Sequence, residues 1–154
     1  MIFSRQEAAA LSEDLRRKGK TVVFTNGCFD LIHPGHIHLL AEAKALGDIL
    51  FVGLNDDESV KRLKGPTRPI NSLEDRAKIL SAIRYVDHVV PFSEDTPLNL
   101  IKAIAPDILV KGGDWREEEI AGAGFVKAKG GKVVIVPYLD GYSTTYLLRK
   151  MGLE

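Results

Sequence analysis

Two hydrophobic periods alternate along this chain. Five short apolar runs, at residues 21–24, 49–54, 86–91, 108–111 and 133–136, are dominated by Val, Ile, Leu and Phe and read as strands. Helical sequence separates each from the next. Ser4-Arg5-Gln6-Glu7 has the capping-box spacing and predicts an opening helix to Lys18-Gly19. Residues 36–46 carry a helical period that stops at Gly47, and Asn55-Asp56-Asp57 leads into a further helix. Ser72-Leu73-Glu74-Asp75 caps one that runs through Ile83. Thr96-Pro97 puts proline at the first position of another, and residues 146–151 form a last amphipathic segment. Regular alternation of strand and helix predicts a Rossmann-like, doubly wound α/β fold. A parallel five-stranded sheet is expected in a single domain over residues 1–154, with 1–19 as a helix leading into the core.

In such sheets ligands bind beyond the carboxyl ends of the strands, and the chain's most informative stretch lies there. Residues 25–36, T-N-G-C-F-D-L-I-H-P-G-H, carry the first strand through a glycine turn into a helix start. The first amides of a helix lack intrahelical partners and its dipole is positive at that end, which suits a triphosphate. Gly35 lets an anion approach, and His33 and His36 can both hydrogen-bond phosphate oxygens whose charge grows during displacement. Asp30, His33, His36 and His38 superficially resemble a metal set. A Mg²⁺ ion bound with a nucleotide takes oxygen ligands and keeps waters, so no protein-held metal is expected. His38 and His88 are read as non-catalytic.

Composition narrows the partners. Lys plus Arg (21) equals Asp plus Glu (21), so there is no general basic field of the kind that draws nucleic acid. The one cysteine, Cys28, cannot close an intramolecular disulfide and fits a reducing compartment. Its thiol reads as a bystander. No apolar run reaches membrane-spanning length and residues 1–5 lack a signal-peptide pattern, so a cytoplasmic protein without a membrane partner is expected.

Other candidates gather at strand ends and breaks. Residues 61–69, K-R-L-K-G-P-T-R-P, read as a basic mobile cover whose cations could close over phosphates. Arg76 on the following helix offers a planar fork for a phosphate. Lys111, Gly112, Gly113 and Asp114 combine charge with backbone that a ligand can approach. Trp115 is equally readable as a base-stacking ring or a core residue. Ser143, Thr144 and Thr145 follow Gly141 at a second helix start, with more hydroxyls than one cap requires.

With these residues in place, the chain resembles the cytidylyltransferase-like nucleotidyltransferase superfamily, whose signature G-C-F-D-x-x-H-x-G-H stands at residues 27–36 and whose S-T-T motif stands at 143–145. Within it the likeness is strongest to the D-glycero-β-D-manno-heptose 1-phosphate adenylyltransferase family. It extends through residues 62–65, 68–69, 94–97, 110–114, 119–122 and 140–145. The resemblance implies attack of a sugar 1-phosphate oxygen on the α-phosphorus of ATP, with Mg²⁺ present and pyrophosphate released. It implies that His33 and His36 stabilise the transition state and that Lys64 and Arg76 contact phosphates. By the same likeness Thr25, Asn26, Gly27, Cys28, Phe29, Ser143, Thr144 and Thr145 hold the nucleotide, with Gly35, Lys111, Gly112 and Asp114 joining them as nucleotide-binding candidates from their own chemistry, while Asn55 and Arg68 face the sugar phosphate. A homo-oligomer and a separate heptose kinase in the pathway are also implied.

Two alternatives stay open. One is a cytidylyltransferase acting on a polyol or amino-alcohol phosphate. The similar glycerol-3-phosphate cytidylyltransferases carry an arginine five residues before the serine of S-T-T, where this chain has Tyr138, which argues against CTP. The other is a catalytically silent nucleotide-binding regulatory subunit, against which intact His33, His36 and Lys64 count. A class I tRNA synthetase fragment shares the H-x-G-H pattern, but no strong basic face accompanies it here.

Overall fold

The structure, a computed structural model, describes residues 1–153. Strands β1 (Val22–Gly27), β2 (Ile49–Asn55), β3 (His88–Phe92), β4 (Ile108–Gly112) and β5 (Lys132–Val136) form one sheet. Around it lie α1 (Arg5–Arg17), α2 (Pro34–Ala45), α3 (Asp57–Lys64), α4 (Leu73–Ser81), α5 (Leu98–Ile104), α6 (Ala123–Ala128) and α7 (Thr144–Lys150), with a 3₁₀ turn at Glu117–Glu119. Every strand pairing is parallel and the order is β3-β2-β1-β4-β5. The chain therefore builds outward from β1 in one direction and then resumes on its other side at β4. That reversal opens a crevice between the ends of β1 and β4.

Alternation along the strands serves both faces of the sheet. Val23, Leu50, Val52, Leu54 and Val110 pack with Leu40 and Ala43 of α2 and Ala77 and Leu80 of α4. Val22, Phe24, Phe51 and Leu109 pack on the other side with Ala8 of α1, Leu100, Ile101 and Ile104 of α5, and Ala123 and Val126 of α6. Strands buried on both faces explain why the sequence shows near-continuous apolar runs.

Several boundaries differ from the sequence expectation. β1 continues through Thr25, Asn26 and Gly27, because β2 supplies ladder partners as far as Gly27↔Leu54. Val86 and Asp87 precede β3: the Asp87 carboxylate accepts from the Leu50 amide at 2.8 Å and from Lys44 at 2.7 Å, so it clamps two elements. Residues 61–64 belong to α3, which persists until Gly65 turns out at φ 107°. Pro97 is the cap of α5, so the helix starts one residue later than its proline suggests. His88 is stacked on Phe3 at 4.3 Å between ring centroids, and its Nδ1 is buried without a partner.

Residues 1–3 run beside β3. The Phe3 amide donates to Val89 O and the Val89 amide to Met1 O, both at 2.8 Å, while the Met1 ammonium reaches Asp87 O. Among the described residues no helix is long and apolar enough to cross a membrane.

Phe24 is fully buried, and its ring lies where a side chain on Gly53 would have to go. Phe24→Ala is expected to lower stability by about 3–5 kcal/mol, measured by urea unfolding, through lost burial plus a residual cavity.

Candidate active site

A cleft of about 900 Å³ opens at the carboxyl ends of β1, β2 and β4, a size that suits a nucleotide with a second small substrate. Asn26, Gly27, Cys28, Phe29 and Asp30 line one wall, joined by His33, Gly35 and His36 from the start of α2. Asn55, Lys64, Arg68, Lys111 and Gly112 add to it, and Ser143, Thr144 and Thr145 close another side.

The turn after β1 is shaped by glycine and held by a carboxylate. A Cβ on Gly27 would stand 2.9 Å from the Phe29 ring, so glycine makes room for that ring to fold back. Phe29 itself adopts φ 46°, a left-handed conformation costing about 1–2 kcal/mol that burial of its ring offsets. Asp30, also buried, accepts from the amides of Ile70 at 2.7 Å and Asn71 at 2.9 Å, and Asn71 Nδ2 donates back to Asp30 O at 3.1 Å. Arg68 is buried and donates to Thr145 Oγ1 at 3.2 Å. These contacts correct the expectation of a mobile cover: the segment after α3 is tethered to both cleft walls.

The two histidines cap α2 themselves. His33 is the N-cap, and its Nδ1 accepts from the Gly35 amide at 3.1 Å. His36 Nδ1 accepts from the His33 amide at 3.2 Å, and the rings stack with centroids 3.8 Å apart. The expectation that free helix amides meet the anion is thus revised: the Gly35 amide is taken by the His33 imidazole, the His36 amide donates to His33 O at 2.9 Å, and Pro34 has none to offer. With Nδ1 accepting, the proton of each neutral ring resides on Nε2, leaving one N–H donor per ring. Burial pushes the His33 pKa down. Burial and then the neighbouring His33 push His36 down to about 3, so both rings are neutral at physiological pH.

Cations stand across from them. Burial, with the charge of Lys64 acting in the same direction, lowers the Lys111 pKa. The Lys111 Nζ lies 5.0 Å from the Trp115 ring centroid, and Trp115 Nε1 donates to Gly112 O at 3.1 Å. Trp115 is partly exposed on the cleft and is not a core residue. Burial raises the Cys28 thiol pKa despite nearby Lys64, Arg76 and Lys111, which keeps it protonated and unsuited to nucleophilic attack.

Three sequence candidates lie off the cleft wall. Thr25 is buried, with Oγ1 unpartnered, and Asp114 is exposed beside the cleft. Arg76 differs most from its expected role. Its guanidinium is fully buried: Nε donates to Asn71 O at 3.0 Å, Nη1 to Cys28 O at 2.9 Å and Asn55 O at 2.7 Å, and Nη2 to Asp57 Oδ1 at 2.7 Å. It holds the wall from behind and presents no fork to a phosphate. Asp30 as a clamp and Tyr142, whose ring stacks near His33, were not singled out from sequence. An acidic residue inside an apolar turn was the available signal for the first, and only adjacency to Ser143 for the second.

Replacing Arg76 with Met leaves buried oxygens unpaired and is expected to cost about 3–5 kcal/mol in chemical unfolding. The depressed His36 pKa has a separate consequence. Between about pH 6.5 and 3 the unfolded chain binds a proton that the folded one refuses, so this group's contribution is complete above 6.5 and lost as pH falls. Melting curves of wild type against His36→Asn should show the wild type losing ground as the pH is lowered through that window.

Known proteins match this architecture. The cytidylyltransferase-like family profile matches residues 24–149. Bifunctional protein HldE of Nitrosococcus oceani is 54% identical over 147 residues, 96% of this chain and 31% of that protein. Its counterpart in Gluconobacter oxydans is 56% identical over 146 residues, 95% of this chain and 30% of that protein. The chain thus spans about a third of the length of these relatives. A lipopolysaccharide core biosynthesis protein from Thermoplasma volcanium, known from its crystal structure, superimposes with a TM-score of 0.65 at 31% identity, covering 81% of this chain and all of that one. The cleft at the β1/β4 reversal, the capping histidine pair and these matches lead to one conclusion: the chain belongs to the cytidylyltransferase-like family.

Proposed function

We propose that this chain transfers the adenylyl group of ATP to D-glycero-β-D-manno-heptose 1-phosphate, giving ADP-heptose and pyrophosphate. A sugar phosphate oxygen attacks the α-phosphorus in line; the new P–O bond forms as the bond to the β-phosphate bridging oxygen breaks, and pyrophosphate carries away that electron pair. The observation that carries the reading is the pair of neutral imidazoles on the cleft wall, each with Nδ1 occupied by a backbone amide and Nε2–H left to donate. Donors held before the reaction stabilise charge that appears on phosphoryl oxygens without reorganising at that moment.

Lys64 and Lys111 supply positive charge for the phosphates, with Ser143, Thr144 and Thr145 and the residues 26–29 holding the nucleotide. Asn55 and Arg68 face the acceptor. Among the described residues no group of three or more His, Cys, Asp or Glu side chains could hold a metal ion, and the Asp30 oxygens are taken by amides. Mg²⁺ therefore enters this reading as the companion of the nucleotide phosphates, where it neutralises charge. ATP is favoured by the motif likeness along the chain and by Tyr138 at the position where similar CTP enzymes carry arginine. We assign the supply of the sugar 1-phosphate to a heptose kinase activity.

The test is pyrophosphate release with Mg²⁺ and the heptose phosphate, comparing ATP with CTP and the β with the α anomer. Turnover with ATP and the β anomer is expected; turnover with CTP alone, or binding without turnover, would replace this reading with one of the alternatives. His33→Ala and His36→Ala should each lower kcat by about a hundredfold with nucleotide affinity changed far less, and two variants with wild-type kcat would overturn the assigned roles.

A further inference from the structure

We propose that Tyr142 is a positioning residue for His33, its ring closing the outer end of a four-ring column and fixing the plane in which His33 presents Nε2–H. This rests on the transferase reading above and extends it to a residue outside both family motifs. The column begins at Phe29, whose ring is 5.1 Å from His36 and tilted by 52° to it; His36 stacks on His33 at 3.8 Å, and the Tyr142 ring lies 6.3 Å from His33 with 15° between planes. Among the described residues Phe29 makes no ring contact with His33, nor His36 with Tyr142, so the four rings follow one another in that order.

The two ends differ in kind. Phe29 is buried in the core, whereas Tyr142 is 44% exposed and belongs to the loop between β5 and α7. Burial inside the fold therefore fixes one end of the column, while the other depends on where that loop rests. The loop is seated on the first turn of α2: a Cβ on Gly35 would fall 2.8 Å from His33 Cε1 and 3.2 Å from Tyr142 Cβ. Glycine at 35 is what lets backbone, imidazole and tyrosine pack together. Ser143, next in the chain, caps α7, and Thr145 is bound to Arg68, so the loop is anchored immediately beyond Tyr142.

His33 has its Nδ1 held by an amide, but one hydrogen bond leaves a ring free to tilt about that contact. A near-parallel ring flanking it on the outer side, with Gly35 packed against both, limits that tilt and narrows the access of water to it. Burial is the cause of the lowered His33 pKa, with no charged side chain contributing to it, and His36 is the titratable ring stacked against it from α2. Removing the Tyr142 ring should therefore raise the His33 pKa as well as loosen its plane.

The experiment has two arms. In the first, imidazole resonances of the isotopically labelled protein are titrated without substrates, the His33 signal being assigned by its loss in His33→Gln. Tyr142→Ala should move the His33 midpoint up toward the ordinary value, and Tyr142→Phe should leave it at the wild-type position. In the second, Tyr142→Ala should lower kcat by about tenfold with the KM of both substrates within about twofold, and Tyr142→Phe should restore turnover. Tyr142→Gln gives a second probe should the alanine variant not fold.

An unmoved midpoint in both non-aromatic variants overturns the proposal. So does a loss confined to the KM for the sugar phosphate, which would make the ring a substrate contact. The first arm needs no activity, so absent turnover with ATP and heptose phosphate would sink the functional reading while the positioning role is still decided.

Discussion

A guanidinium sealed from water is tolerable only where oxygens surround it, and the cleft depends on such an arrangement at Arg76. Its donors gather the carbonyl oxygens of Cys28 after β1, Asn55 at the end of β2 and Asn71 before α4, with Asp57 supplying the countercharge. Those three segments would otherwise end as loops with unpaired buried carbonyls. One cation fixes their spacing. Asp30 extends the same framework outward by binding the amides of Ile70 and Asn71, so the wall carrying Cys28, Phe29 and Asn55 is supported from two directions. Desolvating a charge is costly, and the number of partners here offsets it.

On that support the helix end is used indirectly. Backbone amides at the start of α2 are directed at imidazole Nδ1 atoms, and the donor capacity of the helix terminus reappears at Nε2, further into the cleft. The stacked rings exclude water from one another, which keeps them neutral and so preserves a defined donor on each. A cationic imidazole would add charge but surrender the amide contact, since its Nδ1 could no longer accept.

Much of this was legible in the sequence and some was not, for physical reasons. The five apolar runs and their spacing marked the strands because a sheet covered on both faces needs continuous hydrophobicity. The H-x-G-H pattern marked the helix start because proline and glycine have few other uses there. Arg76 defeats such reading: an arginine in the first turns of a helix is ordinarily exposed, and its burial follows from three carbonyls that meet only after the sheet has formed. Residues 61–64 looked like loop because Gly65 and Pro66 follow at once, yet Asp56 caps a helix that carries them. Thr25 looked like a ligand contact because it adjoins the signature, but pairing with β2 carries it into the sheet interior.

The short segment at residues 1–3 bears on how the molecule can associate. An outermost strand exposes a row of unpaired amides and carbonyls that can template growth by another chain. Along β3 that row meets the backbone of residues 1–3, through Phe3 and Met1 bonded to Val89. At the opposite margin β5 has no further strand beside it among the described residues, and it opens with the exposed charge of Lys132. One rim of the sheet is therefore partly covered by backbone, at Val89, while the other opens on a charged side chain, so the β5 rim is the more open of the two to pairing with another sheet.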